Sequence, residues 1–365
     1  MSFLDHAANP VWSAMGWTML HFLWIGSILG VLAFLGKWLL RHARIELQYL
    51  YSLACLLTLA ATPALVATQT LFPITTTELP DTTVPIDRVL ISEPVSAATV
   101  PAWPDQVRTP NRELRITPPA PQGSTSQHKI GELVLDRAAR YLPLVWMIGA
   151  PLTFAYLALG YAGAERLRRH GSIPLNTELQ QQASRLAGVL GITRRVALLT
   201  SDKLVSPVLV GIIRPTILLP AASLAGWSPS ELEMVLLHEL MHVKRWNNLA
   251  LLVQRLITAA LFFHPVVWIV SRWVSREREL CCDAAVVQRT GKPRDYAELL
   301  LKLAPVRPAL AQAALAAAQG NLVPRVRHLL QLPNQEGSMK LPRLTLTLAL
   351  TLVCLPMLWL IAQYR

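Results

Sequence analysis

The segment His238-Glu239-Leu240-Met241-His242 has the residue types and the spacing of a zinc site. Residues four apart lie on one face of an α-helix, so the two imidazoles can bind one Zn²⁺ ion. Glu239 lies beside the first of them and can act as a general base, taking a proton from an attacking water molecule. This H-E-x-x-H pattern predicts the centre of a zinc metallopeptidase. The alternative is a pair of surface histidines on an amphipathic helix.

A helix start precedes the motif at a suitable distance. Ser228 can cap a helix whose first position is Pro229, and Glu231 can complete a capping box. Apolar residues then recur as far as Val243. The motif is therefore predicted to lie on a capped helix.

A third ligand must come from another segment, because a catalytic zinc ion has three protein ligands and an open fourth position. The best candidate is Glu279, in the stretch Arg276–Asp283. Asp283 follows four residues later on the same helix face, and we expect it to accept an N–H from a zinc histidine, with His238 the first choice. Glu277 is the rival ligand. Glu279 and Asp283 can also be interpreted as solvated surface charges.

Four further residues lie near the third ligand. Cys281 and Cys282 are adjacent, and a vicinal pair cannot easily bind one ion, so we interpret them as small buried residues. Tyr296 and Arg294 follow at a distance that would let either of them stabilise the oxyanion of the transition state.

The composition is that of an integral membrane protein, with 53% hydrophobic and 15% charged residues. Four apolar runs approach the ~20 residues needed to cross a bilayer. They are Val11–Leu35, Tyr49–Phe72, Tyr141–Tyr161 and Leu344–Ile361. We expect no signal peptide, because the first run is long and is preceded by Asp5 rather than by basic residues.

Basic residues set the predicted orientation in the membrane. They follow the first and third runs and precede the fourth, which places all of them in the cytoplasm if both termini are outside. These residues are Lys37, Arg41, Arg44, Arg166, Arg168, Arg169, Arg325, Arg327, Lys340 and Arg343. The net charge of +12 is thus assigned mainly to orientation. Direct nucleic-acid binding is not needed to explain it.

The predicted organisation has five parts along the chain. They are the first two transmembrane helices (1–72), an extracytoplasmic Pro/Thr-rich loop (73–138), the third transmembrane helix (139–163), a cytoplasmic zinc metallopeptidase domain (164–342) and the fourth transmembrane helix (343–365). The loop, expected to be largely extended, contains a Ser-x-x-Lys pattern, Ser126-Gln127-His128-Lys129. We interpret this pattern as accidental, because no folded domain is predicted around it.

The apolar segment Leu249–Val270 is long enough to be a fifth span. A single crossing, however, would place Glu279 on the opposite side of the membrane from the two histidines. The segment must therefore return, and Phe263-His264-Pro265 is the natural turn, because Pro265 can open a second helix. We predict a helical hairpin at the membrane, with His264 as a cap or structural residue rather than a ligand.

Upstream of the motif, the pattern predicts a helix at Thr177–Val189 and three short strands. The strands are Arg195–Thr200, Val205–Val210 and Thr216–Leu219. The cytoplasmic part is accordingly predicted to be α+β. An edge strand beside a zinc helix can hold an extended peptide substrate by β-augmentation, although three apolar strands can equally be plain core.

Together these features resemble the integral-membrane zinc metallopeptidases of the BlaR/MecR antirepressor family. The segments that carry the resemblance are His21–Trp24, Trp146–Gly149, Ser206–Gly211, Arg214–Pro220, His238–His242, Phe263–Pro265 and Arg276–Asp283. The resemblance implies a zincin fold of the gluzincin type in the plasma membrane of a bacterium. It implies that His238, His242 and Glu279 bind Zn²⁺ and that Glu239 is the base.

The resemblance also implies signal-dependent proteolysis of the chain itself and, directly or indirectly, of a small DNA-binding repressor. Signalling members of the family carry a penicillin-binding sensor after the last span. Since this chain ends at Arg365, we expect no such sensor. A partner, for which a separate sensor protein is the candidate, or the outer loop would then have to supply the signal. Self-cleavage is expected within Pro305–Pro342, which has an Ala-rich stretch (Ala309–Ala318) and loop signals at Gly320, Pro333-Asn334 and Gly337.

Other classes of protein remain alternatives. An intramembrane protease of the site-two type is disfavoured, because charged residues flank the motif too closely for an apolar span of ~20 residues. These are Glu231, Glu233, Lys244 and Arg245. A housekeeping membrane zinc protease of the prenyl-protein or heat-shock type, and a non-proteolytic membrane scaffold, both stay open.

Overall fold

The computed structural model describes residues 10–71, 125–224, 226–303 and 312–331. Three long apolar helices come first: α1 (Pro10–Leu39), α2 (Ile45–Leu71) and α3 (Thr125–His170), with a short 3₁₀ helix, Leu40–His42, between α1 and α2. Three stretches are long and apolar enough to cross a membrane, namely Val11–His42, Ile45–Thr68 and Val134–His170. The fourth predicted span, Leu344–Ile361, lies outside the described residues.

Helix α3 is longer than the predicted third span. The sequence prediction assigned residues up to 138 to an extended loop, but the helix begins at Thr125 and contains the Ser126–Lys129 pattern. The physical reason is that a run of apolar residues marks only the part of a helix that can lie in the lipid, and not the polar residues by which the helix extends beyond it. Once formed, a helix can continue into polar residues, because each added residue contributes one more backbone hydrogen bond.

The predicted hairpin is present as two helices, α7 (Asn247–Ala260) and α8 (Pro265–Thr290). Helices α4 to α6, which precede them in the chain, are described below. The His264 side chain caps α8 by accepting a hydrogen bond from Val266 N at 3.2 Å, which confirms its structural role. Buried Gln254 of α7 donates to the Ser271 and Ser275 hydroxyls of α8, at 2.8 and 2.7 Å. These polar groups are therefore satisfied inside the protein.

The hairpin packs against the long apolar helices. Trp146 and Thr153 of α3 donate to the carbonyls of Ala260 and Ala259 at 2.8 and 2.9 Å, satisfying acceptors at the end of α7. The first half of α8 shares one apolar core with α1 and α2; its buried members include Phe22, Leu56, Leu59, Val267, Val270 and Val274. Helix α8 thus runs from this core toward the remainder of the chain.

The remainder combines a four-stranded sheet with helices. The helices are α4 (Thr177–Val189), α5 (Ala221–Leu224), α6 (Pro229–Lys244), α9 (Pro293–Leu303) and α10 (Gln312–Gln331). The strands are β1 (Ile173–Pro174), β2 (Ala197–Ser201), β3 (Val208–Val210) and β4 (Thr216–Pro220). Their order in the sheet is β1-β2-β4-β3. Strands β2 and β4 are parallel, and the two outer pairs are antiparallel. Among the described strands, β3 is therefore an edge.

The predicted elements agree with these helices and strands except in detail. Helix α4 has the predicted bounds, and the three predicted strands are present with shifted ends. Strand β1 was not predicted, because two residues are too few to show an alternating pattern. The loop expected at Gly320 is wrong: α10 passes through this position. A single glycine costs a helix only about 1 kcal/mol, which neighbouring contacts can offset.

Candidate metal centre

Helix α6 carries both histidines and begins where the sequence predicts. Ser228 Oγ accepts a hydrogen bond from Glu231 N at 3.2 Å, and Glu231 Oε2 accepts one from Ser228 N at 2.8 Å, which closes the capping box. Every residue from Met234 to Met241 is buried, and the helix packs against α8 on one side and β3 on another. The motif is thus held on a rigid element rather than on a loop.

The two histidines and Glu279 of α8 converge on one point, which we call the metal centre. The Nε2 atoms of His238 and His242 are 3.2 Å apart, and Glu279 Oε2 lies 3.5 and 3.7 Å from them. Four ligands about 2.0–2.1 Å from a tetrahedral zinc ion are separated from one another by about 3.3 Å. The three donor atoms therefore fit a single Zn²⁺ ion with a fourth position left over.

Glu277, the rival ligand, lies elsewhere. It is buried and forms an ion pair with Lys37 near the end of α1. Residues two positions apart in an α-helix are separated by about 200° around its axis, so Glu277 and Glu279 lie on opposite sides of α8. The geometry thus favours Glu279 as the third ligand.

A buried hydrogen-bond network supports His238 on the side away from the metal centre. Its Nδ1 atom lies 3.2 Å from Asp283 Oδ1 and 2.9 Å from the Tyr296 hydroxyl. The Tyr296 hydroxyl donates to the same Asp283 oxygen at 2.8 Å. A carboxylate at Nδ1 favours the tautomer with the proton on that atom, which leaves the Nε2 lone pair free for a metal. Asp283 thus lies where the sequence placed it.

Arg325 of α10 is a member of this network that the sequence analysis assigned only to membrane orientation. Its Nε and Nη2 atoms donate to the two Asp283 oxygens, each at 2.7 Å, in a bidentate pair. Its Nη1 atom lies 3.7 Å from Glu279 Oε2. Burial raises the pKa of Asp283, but Arg325 and His238 lower it by a larger amount, so that the pKa is about 2. The carboxylate therefore stays ionised although it is fully buried.

The carboxylates make the metal centre attractive to cations. Burial lowers the pKa of His238, but the hydrogen bonds to Asp283 and Glu279 raise it, to about 9. Burial likewise raises the pKa of Glu279, and the two histidines bring it well below its usual range. The opposite signs of these two shifts have one cause, since the His238 imidazole and the Asp283 and Glu279 carboxylates stabilise each other's charged forms. A divalent metal ion suits the same potential.

His242 is supported by Asn247, at the start of α7. The Asn247 Nδ2 atom lies 2.7 Å from His242 Nδ1, while its buried Oδ1 atom has no partner among the described residues. Rotating the amide by half a turn would let Oδ1 accept the Nδ1 proton of His242, which leaves Nε2 of His242 free for a metal. In the orientation shown, Nδ2 also lies 3.4 Å from Cys282 Sγ. Oxygen and nitrogen of an amide differ little in shape, so the exchange needs no other movement.

The other predicted residues divide between the centre and its surroundings. Glu239 is buried beside His238, with 8% of its surface exposed. Cys281 and Cys282 are buried, as predicted, and burial raises the pKa of Cys281 to about 12, which keeps that thiol neutral. The Tyr296 hydroxyl is turned toward Nδ1 of His238, away from the metal side, so it does not suit an oxyanion role. Arg294 is exposed at the start of α9.

Comparison with known proteins assigns the chain to a family. The BlaR1 peptidase M56 family matches residues 27–329. The regulatory protein BlaR1 of Bacillus licheniformis is 29% identical over 165 residues, which cover 45% of this chain and 27% of the relative. The methicillin resistance mecR1 protein of Staphylococcus aureus (strain Mu50 / ATCC 700699) is 22% identical over 163 residues, which cover 44% and 27%.

Another relative is the regulatory protein BlaR1 of Staphylococcus aureus, 22% identical over 194 residues, or 52% of this chain and 32% of the relative. The matched part is thus a third or less of each relative's length. The family match, in contrast, includes α2 to α9 and with them every residue of the metal centre. The chain belongs to the BlaR1 peptidase M56 family.

Proposed function

We propose that the chain is a zinc metalloendopeptidase in a bacterial plasma membrane, acting on the cytoplasmic side in signal-dependent proteolysis. The observation that carries the proposal is the convergence of two imidazoles and one carboxylate to within 3.2–3.7 Å. Glu239 is buried and adjoins His238 in the chain. A structural zinc site usually has four protein ligands, whereas three ligands and an adjacent carboxylate are typical of catalysis. Family membership supports the same activity.

Each side chain has a distinct part in the proposed reaction. His238, His242 and Glu279 would hold Zn²⁺, which when bound supplies Lewis-acid activation of a water molecule and of the substrate carbonyl. Glu239 accepts the proton of the attacking water and delivers it to the leaving amine. Asp283 keeps the proton of His238 on Nδ1, so that the Nε2 lone pair would be free to bind the metal ion.

Strand β3 is a candidate for binding the substrate backbone. It is an edge of the sheet within the described chain, and it contacts α6. Asn248, at the start of α7, donates to the carbonyls of Leu209 and Gly211 at 3.3 and 2.8 Å, which fixes the strand relative to the motif. A peptide added at this edge would either replace the 3.3 Å bond from Asn248 to the Leu209 carbonyl or pair with a part of the strand that Asn248 does not contact. Because peptides bind such edges in extended form, the substrate segment must be unwound.

The same requirement narrows the expected site of self-cleavage. Residues 312–331 are helical in α10, and the ion pair between Arg325 and Asp283 ties that helix to the network behind the metal centre. Cleavage within α10 would require that helix to unwind. Within Pro305–Pro342, cleavage inside α10 is therefore disfavoured, and the other residues of that range lie outside the described part of the chain. A cytoplasmic DNA-binding repressor remains the other proposed substrate, and a separate sensor protein the proposed source of the signal.

The test compares wild type with Glu239→Ala in membranes. Both carry terminal tags, and bound zinc is measured on the purified proteins. Glu233→Ala is the matched control, because Glu233 is an exposed carboxylate on the same helix. We expect fragments from wild type and control, and a Glu239→Ala protein that binds zinc without cutting. A zinc-loaded Glu239→Ala protein that cuts as wild type does would refute the assigned base, and a wild type that binds no zinc would refute the proposal.

A further inference from the structure

A cavity of about 890 Å³ lies where α1 passes into α2, between this junction, α8 and α10. Four arginines line it: Arg41 and Arg44 from the junction, Arg276 from α8 and Arg327 from α10. Glu46 is the one carboxylate among the described residues that line it. The cavity is separate from the metal centre and takes no part in the proposed reaction.

The position of the cavity relates it to the membrane surface. The two stretches able to cross a bilayer end at His42 and begin at Ile45, so the junction between them lies at the boundary of the apolar layer. The Arg41 guanidinium lies over the Trp38 ring at 4.8 Å, and tryptophan is enriched at this depth of a membrane. The cavity therefore lies at the level of lipid headgroups.

The chemistry of the lining selects anions that carry phosphate. Arginine remains charged at all relevant pH values, and its planar guanidinium binds two phosphate oxygens at once. The described lining thus holds four guanidinium groups and one carboxylate, so the potential inside the cavity is positive. A phosphate group in the cavity would offset part of this positive charge and offer acceptor oxygens to the guanidinium groups.

We propose that this cavity binds a phosphate-bearing anion, with the headgroup of an anionic phospholipid as its occupant. Basic pockets beside transmembrane helices on the cytoplasmic side are suited to such headgroups. The volume is ample for a headgroup, and the acyl chains would extend along the exposed apolar surface of α1. A soluble phosphate ester has the same binding chemistry, but it would not exploit the position at the membrane surface.

The experiment measures binding of fluorescent phosphatidylglycerol and phosphatidylcholine to the purified full-length chain in neutral detergent. The test variant is Arg276→Gln with Arg327→Gln, since both side chains are exposed at the cavity. The matched control is Arg166→Gln with Arg185→Gln, which removes the same charge from exposed positions outside the cavity. Glycerol 3-phosphate serves as the soluble competitor.

Wild type and control should prefer phosphatidylglycerol, and the cavity variant should bind it about 30-fold more weakly, because each arginine near anionic lipid contributes about a factor of five. An Arg276→Lys, Arg327→Lys variant keeps the charge and should lose less, which guards against a folding defect in the glutamine variant. Displacement of the lipid by millimolar glycerol 3-phosphate would assign the site to soluble phosphates. Equal binding by the cavity variant and the control, or no preference for phosphatidylglycerol in wild type, would overturn the proposal.

Discussion

Replacing Arg325 by glutamine removes the cation that is paired with the buried carboxylate of Asp283. No part of the Asp283 side chain is exposed, and two of its hydrogen bonds, each 2.7 Å long, come from Arg325. Glutamine can restore at most one of them and carries no charge. The variant therefore has an ionised group in the interior whose main counter-charge is gone.

The expected cost follows from this burial. Removing one partner of a buried ion pair costs about 3–5 kcal/mol. Asp283 keeps His238 at 3.2 Å and the Tyr296 hydroxyl at 2.8 Å, so we expect the lower end, about 3 kcal/mol. In a folding unit of about 150–250 residues, each kcal/mol lowers the melting temperature by about 2–4 °C. The Arg325→Gln protein should therefore melt about 6–12 °C below wild type.

The assay is thermal unfolding in detergent, followed by tryptophan fluorescence with a chelator present, so that metal binding does not mask the loss. Arg327→Gln is the control. It removes the same charge two residues away from an exposed side chain and should change the melting temperature by less than about 2 °C. Ranking the variants by melting temperature avoids assuming a two-state transition for a membrane protein.

A double variant decides whether the buried charge is the cause. Asp283→Asn with Arg325→Gln has no orphaned charge, while the asparagine introduced by the first substitution can still accept from Tyr296 and His238. If the reasoning is correct, this protein melts at least a few degrees above Arg325→Gln alone. A double variant that melts no higher would refute the assignment of the loss to the buried Asp283 charge.

Three further predictions test other contacts. Asn247→Ala removes the partner of His242 Nδ1 and should weaken zinc binding about 10–100-fold in a chelator competition, whereas Asn247→Asp, which keeps an acceptor, should weaken it much less. Hydrogen bonds from Lys302 of α9 and from the Ser228 backbone lower the pKa of Glu231 to about 2. The stability that the Glu231 carboxylate contributes is therefore present above about pH 4.5 and is lost as pH falls toward 2. The difference in melting temperature between wild type and Glu231→Gln should shrink from a few degrees over that window, and a constant difference would contradict this. Lys37→Met orphans buried Glu277 and should lower the melting temperature by several degrees, which adding Glu277→Leu should restore.

The features that the sequence predicted well are those with local signals. Ser228, Pro229 and Glu231 define the start of α6 within four residues, and the histidine spacing follows from helix geometry alone. The hairpin was predicted from a topological constraint. An apolar segment separates Glu279 from the two histidines in the sequence, and the chain must return to the same side of the membrane if all three are to bind one metal ion. Such arguments need no knowledge of packing.

The features that were missed depend on contacts between distant segments. Arg325 follows Asp283 by 42 residues and lies among other basic residues, so its charge was explained by membrane orientation instead. Asn247 follows the motif closely, but it opens the next helix, and a left-handed residue, Trp246, turns the chain between them. The turn brings Asn247 back to His242, which no helical periodicity would show.

Helix α8 links the apolar helices to the metal centre. Its Glu277 is buried against Lys37 of α1, and its Glu279 and Asp283 face the histidines. Close-packed helices move as units rather than bending freely. A displacement of α1 and α2 relative to α6 must therefore change either the Lys37–Glu277 pair or the distances between Glu279 and the imidazoles. Because a zinc site tolerates changes of only about 0.2 Å in its ligand distances, even a small displacement is enough to alter the centre. For the signal-dependent protease proposed above, this is a physical route from the membrane to the site of the reaction.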